Sequence, residues 1–223
     1  MLSWMINLYT KTIAKLHWPL CNKKFQIKDY YKIEESLKDC KLAVILVTTY
    51  GNGSNMGIKI AQNIGTKNKT KKTHAALFIG FKDGIPMVVE ASGSYGIQVV
   101  PLIQVIGQRD EVMVRISNPH LLNRSVENFM TEYVNDVIGR DGELDIPYDE
   151  DHNLEDQSRY DCAELVYHAL VYAFKKARHK VLINPVVRWG KKTYTPIELE
   201  FSDLFETIYD NGWSEKNERI EES

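Results

Sequence analysis

Residues Arg159–Leu170, RYDCAELVYHAL, set a cysteine at the joint between a long polar loop and an apolar helix. Asp161 is a favoured N-cap residue and Glu164 stands three positions on, the spacing of a capping box with Asp in place of Ser or Thr. Cys162 then becomes the first helical residue. Leu165, Val166, Ala169, Leu170, Tyr172 and Ala173 give the helix an apolar face wide enough to pack on a sheet. A sulfur at a helix start lies near unpaired amides and the positive end of the helix dipole, which favour thiolate over thiol. That effect is about 0.3 to 1 kcal/mol and the Asp161 carboxylate opposes it, so a reactive Cys162 requires a cationic partner.

The chain has six histidines. His17 lies in an N-terminal extension, His120 in a turn after Asn-Pro, His152 in an acidic loop and His179 in a basic surface run. His168 is six residues along the Cys162 helix and points to another side. His74 is left, opening the strand HAALFIGF at the rim of a sheet. A histidine base needs a group that fixes its other ring nitrogen, and Glu90, in VVEAS, lies on the next strand. A two-residue turn at Asp83-Gly84 would point Glu90 away from His74, whereas a three-residue loop Lys82-Asp83-Gly84, or another odd-numbered one, puts both on one face. The odd-numbered loop is the expectation.

Around these residues the chain reads as α+β. KLAVILVTT (41 to 49) is a buried strand, and GNGSNMGIKIAQNIG a glycine-rich turn and short helix with Ser54 as N-cap and Gly65 as stop. THAALFIGF, PMVVEAS, GIQVVPL and EVMVRIS follow as four antiparallel strands. Val126, Phe129, Tyr133 and Val137 mark one face of a helix over 125–138, which Gly139 ends. TPIELEFSDLFETIYDNGW reads as a further helix and the last residues as a charged tail. The expected organisation is a helical extension over 1–40, interrupted at Trp18-Pro19, a core over 41–210 and a tail over 211–223.

Composition narrows the function. Hydrophobic residues make up 43% of 223 and charged ones 26%, enough for one well-buried core. A net charge of -2 and a pI near 6.3 argue against nucleic acid as partner. Cys21, Cys40 and Cys162 are odd in number and irregularly spaced, which suggests neither a disulfide framework nor a zinc site, and a reducing compartment. No secretory signal or membrane-spanning run is evident, so a cytoplasmic protein is expected. Met1, Met5 and Leu8, with Leu2, Tyr9, Ile13 and Leu16, recur at helical spacing; docking on the protein's own domain is the blander reading, peripheral membrane contact the sharper one. The lysines of TKNKTKK read as a solvated loop. The acidic run Asp145, Asp149, Glu150, Asp151, Glu155, Asp156 lacks the alternation of a calcium loop and reads as a lid over a cleft.

Taken singly, Cys162 and His74 are more often packing residues than catalytic ones. Together they carry a resemblance. THAALFIG, VVEASGSYGIQVVPL and, much later, YDCAELVYHAL resemble the permuted branch of the NlpC-type papain-like superfamily, in particular the YiiX-like proteins and their lecithin-retinol-acyltransferase relatives. In ordinary papain-like enzymes the cysteine helix precedes the histidine strand; here it follows. The likeness covers roughly residues 41–205 and departs at Ala163, where the family has serine. It implies a circularly permuted papain-like fold, with a central antiparallel sheet or partial barrel against helices and the catalytic cysteine at a helix start. It also implies a Cys-His-acid hydrolase or acyl transferase. Cys162 would be the nucleophile, His74 the base and Glu90 its orienting acid, with the Cys162 N–H and Tyr148, or alternatively Tyr160, meeting the oxyanion. No metal or organic cofactor is called for. The first expectation is cleavage of an amide in a peptide, a cell-wall fragment or an N-acyl amino acid. A thioesterase or acyltransferase taking an acyl chain from a lipid, aided by residues 1–40, is the second, and a non-catalytic binding module the third.

Overall fold

The computed structural model describes residues 27–48, 62–63, 68–93, 95–107, 109, 111–138, 146–188 and 190–211. The stripe over residues 1–16, Trp18-Pro19, Ser54, Gly65, Gly139, Asp145 and the tail from 212 lie outside these residues.

Nearly continuous apolar strands need cover on both faces, and this sheet has it. Six antiparallel strands are β1 (Ala43–Thr48), β2 (His74–Lys82), β3 (Ile85–Ser92), β4 (Gly96–Pro101), β5 (Glu111–Ser117) and β8 (Phe205–Asp210), in the order β4-β3-β2-β1-β5-β8. The period of two sorts the side chains. Val44, Leu46, Ala75, Leu77, Val89, Ala91 and Met113 share one apolar cluster with helices α3 (Arg124–Ile138) and α4 (Cys162–Lys176). Ala43, Ile45, Val47, Ala76, Phe78, Val88, Val112 and Val114 share another with α1 (Ile27–Leu37) and α2 (Leu102–Ile106). The class is α+β.

Two expectations need correction. The β2–β3 connection is a two-residue turn, Asp83-Gly84, with φ of 52° and 78°, the left-handed pair of a type I′ hairpin, not an odd-numbered loop. Parity is restored inside the strand instead: the register changes between Phe78 and Gly80, Leu77 facing Val89 and Gly80 facing Met87. Ile79 is therefore an extra, bulged residue. One residue more on β2 does what one residue more in the loop would have done, and even positions of both strands share a face.

The C-terminal stretch is not one helix. Only α5 (Pro196–Glu200) is helical, opened by the Thr195–Glu198 capping box with Pro at the first helical position, and β8 follows as an edge strand. Arg115, buried on β5, ends the helix: its Nη1 donates to the carbonyls of Leu199 at 2.6 Å and Glu200 at 2.7 Å, and its Nη2 donates to that of Phe205. The guanidinium thus serves carbonyls at the helix end that no further turn of helix would satisfy, the Leu199 carbonyl accepting the Ser202 amide as well. A short hairpin, β6 (Val186–Arg188) with β7 (Lys191–Thr193), escaped the sequence reading. On α3 the innermost stripe is Val126, Met130 and Val134, flanked by the half-buried Phe129, Tyr133 and Val137.

Candidate active site

α4 starts as the capping box requires. Asp161 Oδ1 accepts from the amides of Ala163 and Glu164, each at 2.8 Å, and Glu164 Oε2 accepts from the Asp161 N–H at 2.9 Å. The cap uses the second and third amides of the helix and leaves that of Cys162 outside it. Cys162 is 4% exposed and belongs to the apolar cluster that holds Ala75, Ala91 and Tyr160.

The histidine is fixed from the neighbouring strand. His74 Nε2 and Glu90 Oε2 are 2.6 Å apart, and the Gln98 side-chain amide, directly across β4, donates to Glu90 Oε1 at 2.8 Å. Burial alone would raise the Glu90 carboxyl. The hydrogen bonds from His74 and Gln98, with the Arg109 guanidinium nearby, outweigh it and hold Glu90 below the usual carboxylate range.

The sulfur belongs to the other face of the sheet from this pair. By register, His74 and Glu90 lie on the face of Val47 and Val88, whereas α4 packs on the face of Ala75 and Ala91. The contact of Cys162 with β2 is to its backbone, at the start of the strand. β2–β3 pairing stops at Leu77↔Val89, and the backbone N–H of Ala75, the residue after His74, faces the Cys162 sulfur together with that of Ala163. His74 and Glu90 are thus joined directly, and Cys162 comes to the backbone beside His74.

The thiol itself is not acidic here. Burial and then the Asp161 carboxylate push Cys162 up, and the Glu90 carboxylate adds to this; the Ala75 and Ala163 amides oppose without prevailing. The helix start favours thiolate, and burial overrides it, because removing water penalises a lone anion more than two amides stabilise it. Burial therefore favours the thiol over the thiolate at Cys162.

Tyr148 and Tyr160 flank the helix start and pair through an isolated parallel β-bridge. Their hydroxyls differ. That of Tyr160 lies 3.0 Å from the Tyr133 hydroxyl inside the α3–α4 cluster. Tyr148 is half-buried, and burial and then the charge of Cys162 raise its phenol, so it is an electrostatic neighbour of the sulfur. His152 was set aside in the sequence as a loop residue. In the fold its Nδ1 is 2.7 Å from Asp161 Oδ2. Only the Asp149-x-x-His152 turn could have signalled this, since nothing in the spacing predicts a contact across nine residues.

Among the described residues no group of three or more His, Cys, Asp and Glu side chains is arranged to hold a metal ion, and no helix is long and apolar enough to cross a membrane. No curated protein matches the chain. A family model does, over residues 53–209, the stretch that carries the histidine strand, the acid and the later cysteine helix. The chain belongs to the permuted papain-like amidase enzymes of the YaeF/YiiX, C92 family, and is an amidase-type cysteine hydrolase of α+β fold.

Proposed function

We propose that the protein hydrolyses an amide bond, in a peptide, a cell-wall fragment or an N-acyl amino acid, through Cys162, His74 and Glu90. The observation that carries this reading is the 2.6 Å contact between His74 Nε2 and Glu90. It occupies one ring nitrogen and turns Nδ1 into the nitrogen that can take a proton, beside the backbone that meets the sulfur.

In the first half-reaction Sγ attacks the carbonyl carbon as its proton passes to His74 Nδ1, and the carbonyl π pair becomes an oxyanion. The Cys162 N–H, left outside the cap, and the Tyr148 hydroxyl are the donors assigned to that oxyanion, with the Tyr160 hydroxyl as the alternative. Collapse breaks the C–N bond, and the amine leaves with the proton from His74. Water then attacks the thioester with His74 as base, releasing the acid and restoring the thiol. Glu90 stabilises the imidazolium in both halves. An alcohol or amine in place of water would make the same intermediate an acyl donor.

The test is a panel of chromogenic anilides, thioesters and esters with N-acyl amino acid, peptide and long-chain acyl groups. Turnover that Cys162→Ala and His74→Ala each abolish, with folded variants, supports the proposal; a Cys162→Ala variant as active as wild type overturns it. Acyl transfer to an added amine at the expense of hydrolysis would assign the acyltransferase reading. Turnover of long-chain acyl lipids alone would move the substrate to that class.

A further inference from the structure

The loop before the nucleophile is built around a carboxylate. Asp149 is fully buried, and its two oxygens accept from the backbone amides of Asp151 at 2.9 Å and Asn153 at 2.7 Å. Its own N–H donates to the Tyr160 carbonyl at 3.0 Å, and the Tyr160 N–H donates to Pro147 at 3.3 Å. This latch ties residues 147–153 to the start of α4. It also holds His152 at φ 50°, a left-handed conformation that a side-chain-bearing residue takes only where surroundings fix it. The result is specific: Nδ1 stands 2.7 Å from Asp161 Oδ2, and the ring lies edge-on to Tyr148 with centroids 6.5 Å apart.

Asp161 therefore has two partners, one oxygen for the helix cap and the other for His152. The cap requires a polar side chain next to the nucleophile, and a carboxylate there repels the very thiolate that the reaction develops. A neutral cap residue would avoid the conflict. A carboxylate paired with a cation avoids it equally and adds a fixed ring against Tyr148.

We propose that His152 is a positioning residue of this hydrolase, an imidazolium that neutralises Asp161 beside Cys162 and braces Tyr148 at the site. The inference rests on Cys162 being the nucleophile. The Asp161 hydrogen bond raises His152 above the ordinary imidazole range against the opposing effect of burial, with Asp149 and Asp151 adding to the rise. The compensation is thus fully present below the ordinary imidazole pKa and is lost as pH rises through the raised one. The other groups around it are accounted for. On α4 these are Cys162 and Glu164, whose carboxyl burial and Asp161 push up. On its own loop it has Tyr148, and Asp151 is in turn 3.7 Å from Lys191 of β7. Glu90 of β3 acts on the sulfur and not through this pair.

The experiment is a double-mutant cycle on the full chain with His152→Gln, Asp161→Asn and the double variant, read as iodoacetamide alkylation of the Cys162 peptide by mass spectrometry from pH 6 to 10. Reading that peptide separates it from Cys21 and Cys40. His152→Gln is expected to slow alkylation about tenfold at pH 6 to 6.5, where the imidazolium is present, and to match wild type towards pH 10, where it is lost. Asp161→Asn keeps a good cap and should move it little, and the double variant should return to within about twofold of wild type. A structural role for His152 would not be rescued by deleting a charge. An unmoved profile for His152→Gln, or a double variant as slow as that single one, overturns the proposal. His74→Ala, measured alongside with the substrate panel, reads the hydrolase proposal separately: dead Cys162 and His74 variants with no cycle coupling sink the His152 inference alone.

Discussion

Glu90→Gln is the substitution that separates charge from shape at the histidine. The side chain keeps its length, Gln98 can still reach one end, and the amide oxygen can still accept from His74 Nε2–H. What disappears is the negative charge 2.6 Å from the ring, in a pair whose side chains are 16% and 10% exposed. A hydrogen bond to a charged group contributes about 1.5 to 3 kcal/mol and a neutral one about 0.5 to 1.5, so the substitution removes about 1 to 1.5 kcal/mol of imidazolium stabilisation. The mechanism develops the imidazolium as the sulfur's proton is taken, so the difference falls on the barrier: kcat/KM should drop about tenfold. Glu90→Ala frees the ring as well and should cost about a hundredfold or more, since the tautomer is no longer held. The assay is kcat/KM on the best amide of the panel from pH 4 to 9, with melting temperature as the folding control. In the wild type, Glu90 is held below the usual carboxylate range, so its contribution is present above that range and lost only as pH falls through the depressed value. A folded Glu90→Gln enzyme within twofold of wild type across that pH range would refute the assignment of Glu90.

Gly96, at φ +66°, faces the loop that carries Tyr148, and a Cβ there would meet the Ile146 carbonyl oxygen at 2.0 Å. Gly96→Ala should therefore lower the melting temperature and, in the folded fraction, reduce kcat more than Gly93→Ala, whose added Cβ meets only Tyr148 Cδ1 at 4.0 Å. Lys72 is 1% exposed between the buried Glu111 at 3.4 Å and Asp210 at 3.6 Å; Lys72→Met takes this buried cation from Glu111, leaving it the partly exposed Lys71, and should lower the unfolding free energy by about 3 kcal/mol in urea titration. Burial holds His168 down to about 4. The unfolded chain binds that proton at higher pH, so stability should fall by up to about 3 kcal/mol between pH 6.5 and 4, and His168→Gln should flatten that slope in a pH series of denaturant melts. Asp161→Ala removes both the cap and the partner of His152 and should cost at least about 1 kcal/mol of stability by the same method.

The four successive strands, the α3 helix and the capping box at Cys162 were legible because each rests on local rules: apolar periodicity, turn residues and cap spacing act within a few residues of chain. The pairing of His74 with Glu90 was half legible. Both residues could be named, and their shared face was expected for the wrong reason, since the register change falls inside β2, where Gly80 at φ 116°, a glycine within a strand, was its one local sign. The C-terminal helix failed because the residues after α5 pair as β8 with β5, whose Arg115, some eighty residues upstream, binds the carbonyls at the helix end. The protonated state of Cys162 and the His152–Asp161 pair were likewise beyond the sequence alone. Burial and contacts across loops are set only when the chain closes on itself, and there desolvation outweighs the local preference of a helix start.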